Sequence, residues 1–138
     1  MREMIDFLTA SSSWSGSAGI PERLAAHVYV SMLSMVVAGV IALPAGLWLG
    51  HRNRGAALAS AVANAGRAIP TLALLGLATV AVGIGFWPTL IAMVALAIPP
   101  MFTNTFTGIR GVDPSVRSAA VGMGFEGLEL LRQVEIPL

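Results

Sequence analysis

Residues 28–50 form an apolar run of 23 positions that holds no charge and only two serines, Ser31 and Ser34. At ~1.5 Å per residue, a helix over this run crosses a ~30 Å hydrocarbon core with room to tilt. A second run, 56–82, is interrupted by Asn64, Arg67 and Pro70, and a third, 88–109, by Pro99-Pro100. The stretch around Arg67 either belongs to the second span or lies in the interface, with the span starting nearer Ile69. The uncharged turn 83–88 joins the second and third runs and carries Trp87, an aromatic suited to the headgroup region. The pattern therefore predicts an N-terminal segment 1–27, three membrane helices over 28–50, 56–82 and 88–109, and a polar tail 110–138. Pro44 is expected to kink the first helix. Gly46 and Gly50 make a GxxxG, read either as a close-packing face or as a glycine pair near a helix end.

The N-terminal segment divides in two. Met1, Met4, Ile5 and Leu8 fall on one helical face, so residues 1–9 suit the membrane surface. Residues 11–19 read as a Ser/Gly linker with Trp14 as an interface anchor. Pro21 then suits a first helical position, with Glu22 favourable in the first turn. The first run is not a signal peptide: it begins too late, is too long and has no basic region before it. There is no internal repeat.

Composition supports the membrane reading. Hydrophobic residues are 56% of the 138 and charged residues only 11%, against roughly 25% charge in a soluble domain; mean hydropathy is +0.80. A net charge of +1 gives no sign of nucleic acid as a partner. The chain has no cysteine, which excludes disulfides, zinc thiolates and thiol catalysis. All eight basic residues are arginine, so a P-loop lysine and a Schiff base are excluded, and ATP, if it is used, is bound by another chain. Arg52 and Arg54 lie between the first two runs and Arg110, Arg117 and Arg132 follow the third, whereas the 83–88 turn has no arginine. Positive charge favours the cytoplasm, which puts the N-terminus outside and the tail inside.

The tail reads as a helical hairpin. Asp113-Pro114 is a helix start, an N-cap carboxylate before a proline that needs no N–H partner. A helix is predicted from Pro114 to about Val121, a sharp turn at Gly122-Met123-Gly124 where glycine tolerates positive φ, and a second helix from about Phe125 to Val134. Glu129 and Arg132 are spaced to pair on its exposed face. Pro137 ends it.

The run Ser118-Ala119-Ala120-x-x-x-Gly124, followed by Leu131, Val134 and Ile136-Pro137, resembles the Glu-Ala-Ala loop of ABC-importer permeases. Gly19-Ile20-Pro21-x-Arg23-Leu24, Ile41-Ala42-Leu43-Pro44-x-Gly46-Leu47, Ile69-Pro70-Thr71-Leu72 and Asn104-Thr105-Phe106-Thr107-Gly108-Ile109-x-x-Val112-Asp113-Pro114 resemble osmoprotectant (glycine betaine, choline, proline betaine) uptake permeases. The resemblance runs from about Gly19 to Leu138. It implies an all-α integral membrane fold: three transmembrane helices of an ABC type I importer permease core, then a cytoplasmic coupling-helix hairpin that docks on an ATPase. On this chain the coupling positions are Arg117, Ser118, Ala119, Ala120, Gly122, Met123, Gly124, Phe125 and Glu126. The implied partners are a cytoplasmic ABC ATPase, a second permease subunit (identical or not), an extracytoplasmic substrate-binding protein and the lipid bilayer of a bacterial inner membrane. Ser118 stands where the family usually has Glu, so any charged contact made by that Glu is absent, and coupling is either weaker or carried by Arg117 and Glu126. The family continues past Leu-Pro-Leu into further spans; this chain stops at Leu138, which is expected of a truncated or split reading frame.

Other signals weigh against chemistry in this chain. Residues 122–127 match GxGxxG, but a dinucleotide site needs a preceding strand and an acid about 20 residues on; here a helix is predicted to precede them and the sequence ends before that position. His27 and His51 are ~36 Å apart along a straight helix and share no metal; both read as interfacial polar residues. No Ser/His/Asp set is evident, and no acid lies in the three runs. An arginine inside a span costs at least ~2.5–3.5 kcal/mol. Arg67 therefore either lines a polar cavity with Asn64 and Asn104 or reaches the interface. Its permanent charge argues against direct contact with a quaternary ammonium. Pro70, Thr71 and Pro99-Pro100 mark either a broken helix near a solute path or ordinary kinks. The expected function is thus a permease subunit rather than an enzyme, with no cofactor or metal of its own. The alternatives are a permease for another small solute, such as methionine or a metal complex, and a non-transporting three-span assembly protein or decayed permease.

Overall fold

The computed structural model describes residues 2–10, 13–16 and 19–138, with the backbone alone for residues 4–6 and 8. The side chains expected to form the apolar face of the N-terminal helix (Met1, Met4, Ile5, Leu8) and part of the Ser/Gly linker lie outside the described residues. Among the described residues, the regular elements are all helical: α1 Arg2–Thr9, α2 Ile20–His51, α3 Ala56–Ala68, α4 Thr71–Val82, α5 Phe86–Arg110, α6 Pro114–Gly122, α7 Gly127–Leu130, and a closing π-helical turn Leu131–Glu135.

Helix α2 has 32 residues and spans ~48 Å. It begins where Pro21 and Glu22 suggest, eight residues before the apolar run, and passes through Pro44 without a break. It ends at a left-handed residue, Asn53 (φ 52). The Arg54 N–H reaches the Leu49 carbonyl and the Asn53 N–H reaches Gly50, which is the double closure of a Schellman cap. Helix α5 has 25 residues and is continuous through Pro99-Pro100, so of the two readings of that pair the broken helix is not the one observed. Thr105 and Thr107 hydroxyls donate back to the Met101 and Thr103 carbonyls within it.

The second run is two helices of 13 and 12 residues, bent by 87° at Ile69–Pro70. The cause is local. Proline disfavours helix at the residue before it, and Ile69 is extended (φ −78, ψ 117). The chain restarts when the Leu74 N–H finds the Pro70 carbonyl. Among the described residues two helices, α2 and α5, are long and apolar enough to cross a membrane, and there are three spans if the bent pair is one.

The core is the α2–α5 seam. On α2 the buried positions include Ser34, Ala38, Ala42, Gly46 and Gly50, a four-residue repeat of small side chains that lets a second backbone come close. Its lone hydroxyl is satisfied, Ser34 donating to the Val30 carbonyl at 2.7 Å. Phe102 and Phe106 of α5 fill the space opposite Ala42 and, on α3, Ala59. The outward surface is apolar: Leu72 is 82% exposed and Val80 87%, which water would not tolerate in an array of this size. The described residues form an all-helical fold of the integral membrane kind.

Candidate functional site

Two regions bring the candidate residues together. The first is a crevice of about 390 Å³ between α3 and α5, lined by Ala63, Gly66, Arg67, Leu96, Pro99, Pro100, Thr103 and Asn104. Its floor is tight: a Cβ on Gly66 would lie 2.5 Å from the Pro99 Cβ, so only glycine allows α3 to rest on α5 there. Arg67 sits in the last turn of α3, where a cation suits the helix dipole. It donates to the Asn64 side-chain oxygen at 3.3 Å and to the Ala63 carbonyl at 3.4 Å. Arg67 also lines a neighbouring crevice, which adds Asn64, Ser60, Thr107 and Arg110. Thr103, between them, has a buried hydroxyl without a hydrogen-bond partner among the described residues. Pro70 and Thr71 lie at the α3–α4 bend and line neither crevice.

The second region is the hairpin after α5. Asp113 caps α6 through its Oδ1, which accepts from the Ser115 N–H at 2.7 Å. Hydrogen bonds from the Ser115 hydroxyl and then its N–H hold the Asp113 carboxyl below its ordinary range. Helix α6 ends at Gly122 in a second Schellman closure: Phe125 N–H to Ala120 O and Gly124 N–H to Val121 O, with Gly124 at φ +96. The glycine turn therefore forms as its composition suggests. The second arm differs from expectation. It begins at Gly127, keeps four α-helical residues and then widens into the π turn. Glu129 accepts from Gln133 rather than from Arg132.

The candidate coupling residues split by orientation. Ser118, Ala119, Gly122, Met123, Gly124 and Glu126 are exposed, Met123 at 73%. Phe125 is half-buried, and Ala120 is buried against the chain. Arg117 turns inward. Its Nη2 donates to the backbone carbonyl of His51 at 2.7 Å, and its Nε lies 3.1 Å from Glu135 Oε1. Glu135 Oε2 lies 2.6 Å from His51 Nδ1. Glu135 is 2% exposed, and burying an unpaired carboxylate costs several kcal/mol. The two basic partners offset that cost. Oε1 nevertheless meets Arg117 as an ion pair without hydrogen-bond alignment and has no hydrogen-bond partner among the described residues.

Glu135 did not stand out in the sequence. One signal was present: it is an acid flanked directly by two branched apolar residues, Val134 and Ile136. A charge in such surroundings is paired or it is not buried.

The model for binding-protein-dependent transport system inner membrane components matches residues 42–138. The chain is 33% identical over 112 residues to the glycine betaine/carnitine/choline transport system permease protein OpuCB of Bacillus subtilis, covering 81% of this chain and 52% of that protein. It is 28% identical over its whole length to the carnitine transport permease protein OpuCD of Listeria monocytogenes, covering 60% of it. It is 35% identical over 116 residues to the osmoprotectant import permease protein OsmY of Salmonella typhimurium, covering 80% of this chain and 48% of that protein. The chain thus spans about half the length of the curated relatives it matches. No solved structure gives a significant match.

Proposed function

Because the chain belongs to the family of binding-protein-dependent transport inner-membrane components, we propose that it is a permease subunit of an ATP-driven importer of osmoprotectants such as glycine betaine, choline and carnitine. The observation that carries this reading is the agreement among relatives: OpuCB, OpuCD and OsmY are each named as permeases for such solutes.

In this reading α2, the bent α3–α4 pair and α5 are three spans, the N-terminus lies outside and the hairpin faces the cytoplasm. Arg52 and Arg54 at one end of α2, Arg110 in the last turn of α5 and Arg117 and Arg132 after it support that orientation. The chain does no covalent chemistry. A separate ATPase binds and hydrolyses ATP, a second permease subunit completes the pathway, and an extracytoplasmic binding protein delivers the solute. The exposed part of the hairpin, with Ser118, Ala119, Met123 and Glu126 around the Gly124 turn, is the docking surface; small residues allow close approach and methionine adapts to a groove. The two neighbouring α3–α5 crevices, one with Asn104 and the other with Asn64, and Arg67 in both, border the solute path, and Pro70 and Thr71 hinge the wall that α3 makes. The guanidinium of Arg67 repels a quaternary ammonium, so Asn64 and Asn104 make the closer polar contacts.

The test is uptake of labelled glycine betaine into vesicles carrying the assembled transporter. ATP-dependent accumulation, competed by choline and carnitine, is expected. Uptake competed by methionine but not by these solutes would overturn the substrate class. Absence of an ATPase from the purified assembly would overturn the transport role.

A further inference from the structure

The hairpin follows α5 in sequence, yet its polar cross-links go to α2. Arg117 of α6 donates to the His51 carbonyl at the end of α2, His51 Nδ1 lies 2.6 Å from Glu135 of the π turn, and Glu135 returns to Arg117 at 3.1 Å. Three elements thus meet at one buried carboxylate.

We propose that Glu135, Arg117 and His51 form a clamp that makes both arms of the hairpin and the end of α2 one rigid body, so that a push on the hairpin moves α2 directly. This rests on the hairpin being the ATPase-facing element. Three features support it. The contacts form a closed triangle, which resists rotation as a single pair does not. One of the bonds ends on backbone, so Arg117 grips the helix itself and not a side chain free to turn. That backbone is the C-terminus of α2, whose carbonyls carry partial negative charge; the Arg117 cation lies between it and the Glu135 carboxylate and is attracted by both. The π turn has a place in the same scheme. Its wider i→i+5 winding, seen in the Ile136 N–H to Leu131 carbonyl bond, sets Glu135 on the buried side while the neighbouring Arg132 and Gln133 remain exposed.

The clamp assigns roles within the hairpin. Arg117, His51 and Glu135 are positioning residues, occupied inside the chain, and contact with the ATPase falls to the exposed residues. Force entering at Met123 passes through the clamp into α2, and from α2 to α5 where Gly46 and Gly50 press on Thr105 and Ile109.

The chain has no native cysteine, so spin labels can be attached at exposed pairs outside the clamp: Arg54→Cys with Val116→Cys for the first arm, and Arg54→Cys with Leu128→Cys for the second. In the assembled transporter with native clamp residues, each pair is expected to give one narrow distance distribution, the same with and without ATP. A distance that changes on ATP binding overturns the proposal. In Glu135→Gln both distributions broaden, and solute imported per ATP hydrolysed falls by roughly five- to tenfold while the ATPase still co-purifies. Distributions that stay narrow, or an unchanged transport ratio, overturn it too. Should Glu135→Gln fail to insert, Arg117→Lys, which keeps the charge but loses the fork that reaches two partners, gives the same reading. Failure of the functional reading looks different: transporter with native clamp residues then shows no ATP-driven uptake, while the label distances in the purified chain still judge the clamp.

Discussion

Gly46 of α2 leaves no room for a side chain against Thr105 of α5: a Cβ at Gly46 would lie 2.8 Å from the Thr105 Cβ and 3.0 Å from the Phe102 carbonyl oxygen. Gly50 repeats the contact one turn later, 2.9 Å from the Ile109 Cβ. Neither obstacle is the free end of a flexible side chain, so the helices must part to admit any substituent. Gly46→Val is therefore expected to destabilise the chain by about 1–3 kcal/mol, the usual cost of overpacking. Gly108→Ala, in the same α5 but with nothing within 4 Å, should be neutral or slightly stabilising. Thermal unfolding of the two variants in detergent checks the contrast; equal effects would mean the seam is looser than its geometry.

Removing the two ends of the Arg117–Glu135 pair should not cost the same. Arg117→Ala strands a carboxylate whose side chain is 1% exposed, with His51 as its one remaining partner among the described residues, and about 3 kcal/mol or more is expected to be lost. Glu135→Gln keeps the shape and releases an arginine that is already 35% exposed and can turn to water, for a cost of about 1 kcal/mol. Denaturant unfolding of both variants gives the order. Glu135→Gln as the more damaging change would mean that a stranded buried carboxylate costs less than its 1% exposure implies.

The parts legible in the sequence were those written in backbone chemistry. Pro21 with Glu22 marks the start of α2, Pro70 makes the bend, Asp113-Pro114 starts α6, and Gly124 makes the turn. Each acts within a few residues, so no tertiary knowledge is needed. Packing was harder to read. In a lipid-facing helix every side is apolar, and hydrophobic periodicity no longer says which face meets a partner. The stripe Ser34, Ala38, Ala42, Gly46, Gly50 is a pattern of size, of which the GxxxG was only the last step. Pro99-Pro100 left a broken helix and an ordinary kink both open, because what decides between them is not local: α5 is held along its length by α2 and by its own threonines. Arg117 and Glu135 were hidden for another reason. They are 18 residues apart in sequence, and their meeting with His51 depends on the whole hairpin folding back on α2.

Gly122 and Gly124 are two residues apart and should respond to alanine with opposite signs. Gly122 is helical, exposed and has nothing within 4 Å of a built Cβ, so Gly122→Ala should stabilise α6 by about 0.5–1 kcal/mol through lost freedom in the unfolded chain. Gly124 has equally open surroundings but stands at φ +96, a conformation that costs an L-residue of order 1–3 kcal/mol. Gly124→Ala should destabilise for backbone reasons alone. A bulky Gly124→Trp adds a block at the docking surface and should separate ATP hydrolysis from uptake without preventing insertion. Unfolding midpoints test the first pair, and uptake per ATP in vesicles tests the third variant.

The Asp113 cap makes the start of α6 sensitive to acid in one direction only. Bonds from the Ser115 hydroxyl and then its N–H favour the ionised carboxylate and lower its pKa from the ordinary 3.8. A group depressed by folding contributes stability that is fully present above its unfolded value and is lost as pH falls through the lower folded one. The cap should therefore hold without change from neutral pH down to about pH 4, and weaken only below that. Amide exchange over residues 115–118, corrected for the intrinsic pH dependence, is expected to stay slow across the upper range and to quicken below it. Asp113→Ala should show the fast exchange already at neutral pH, and Asp113→Ser, whose hydroxyl can accept the same N–H, should restore most of the protection. Fast exchange in the native chain at pH 6 would mean that the carboxylate does not hold the helix start.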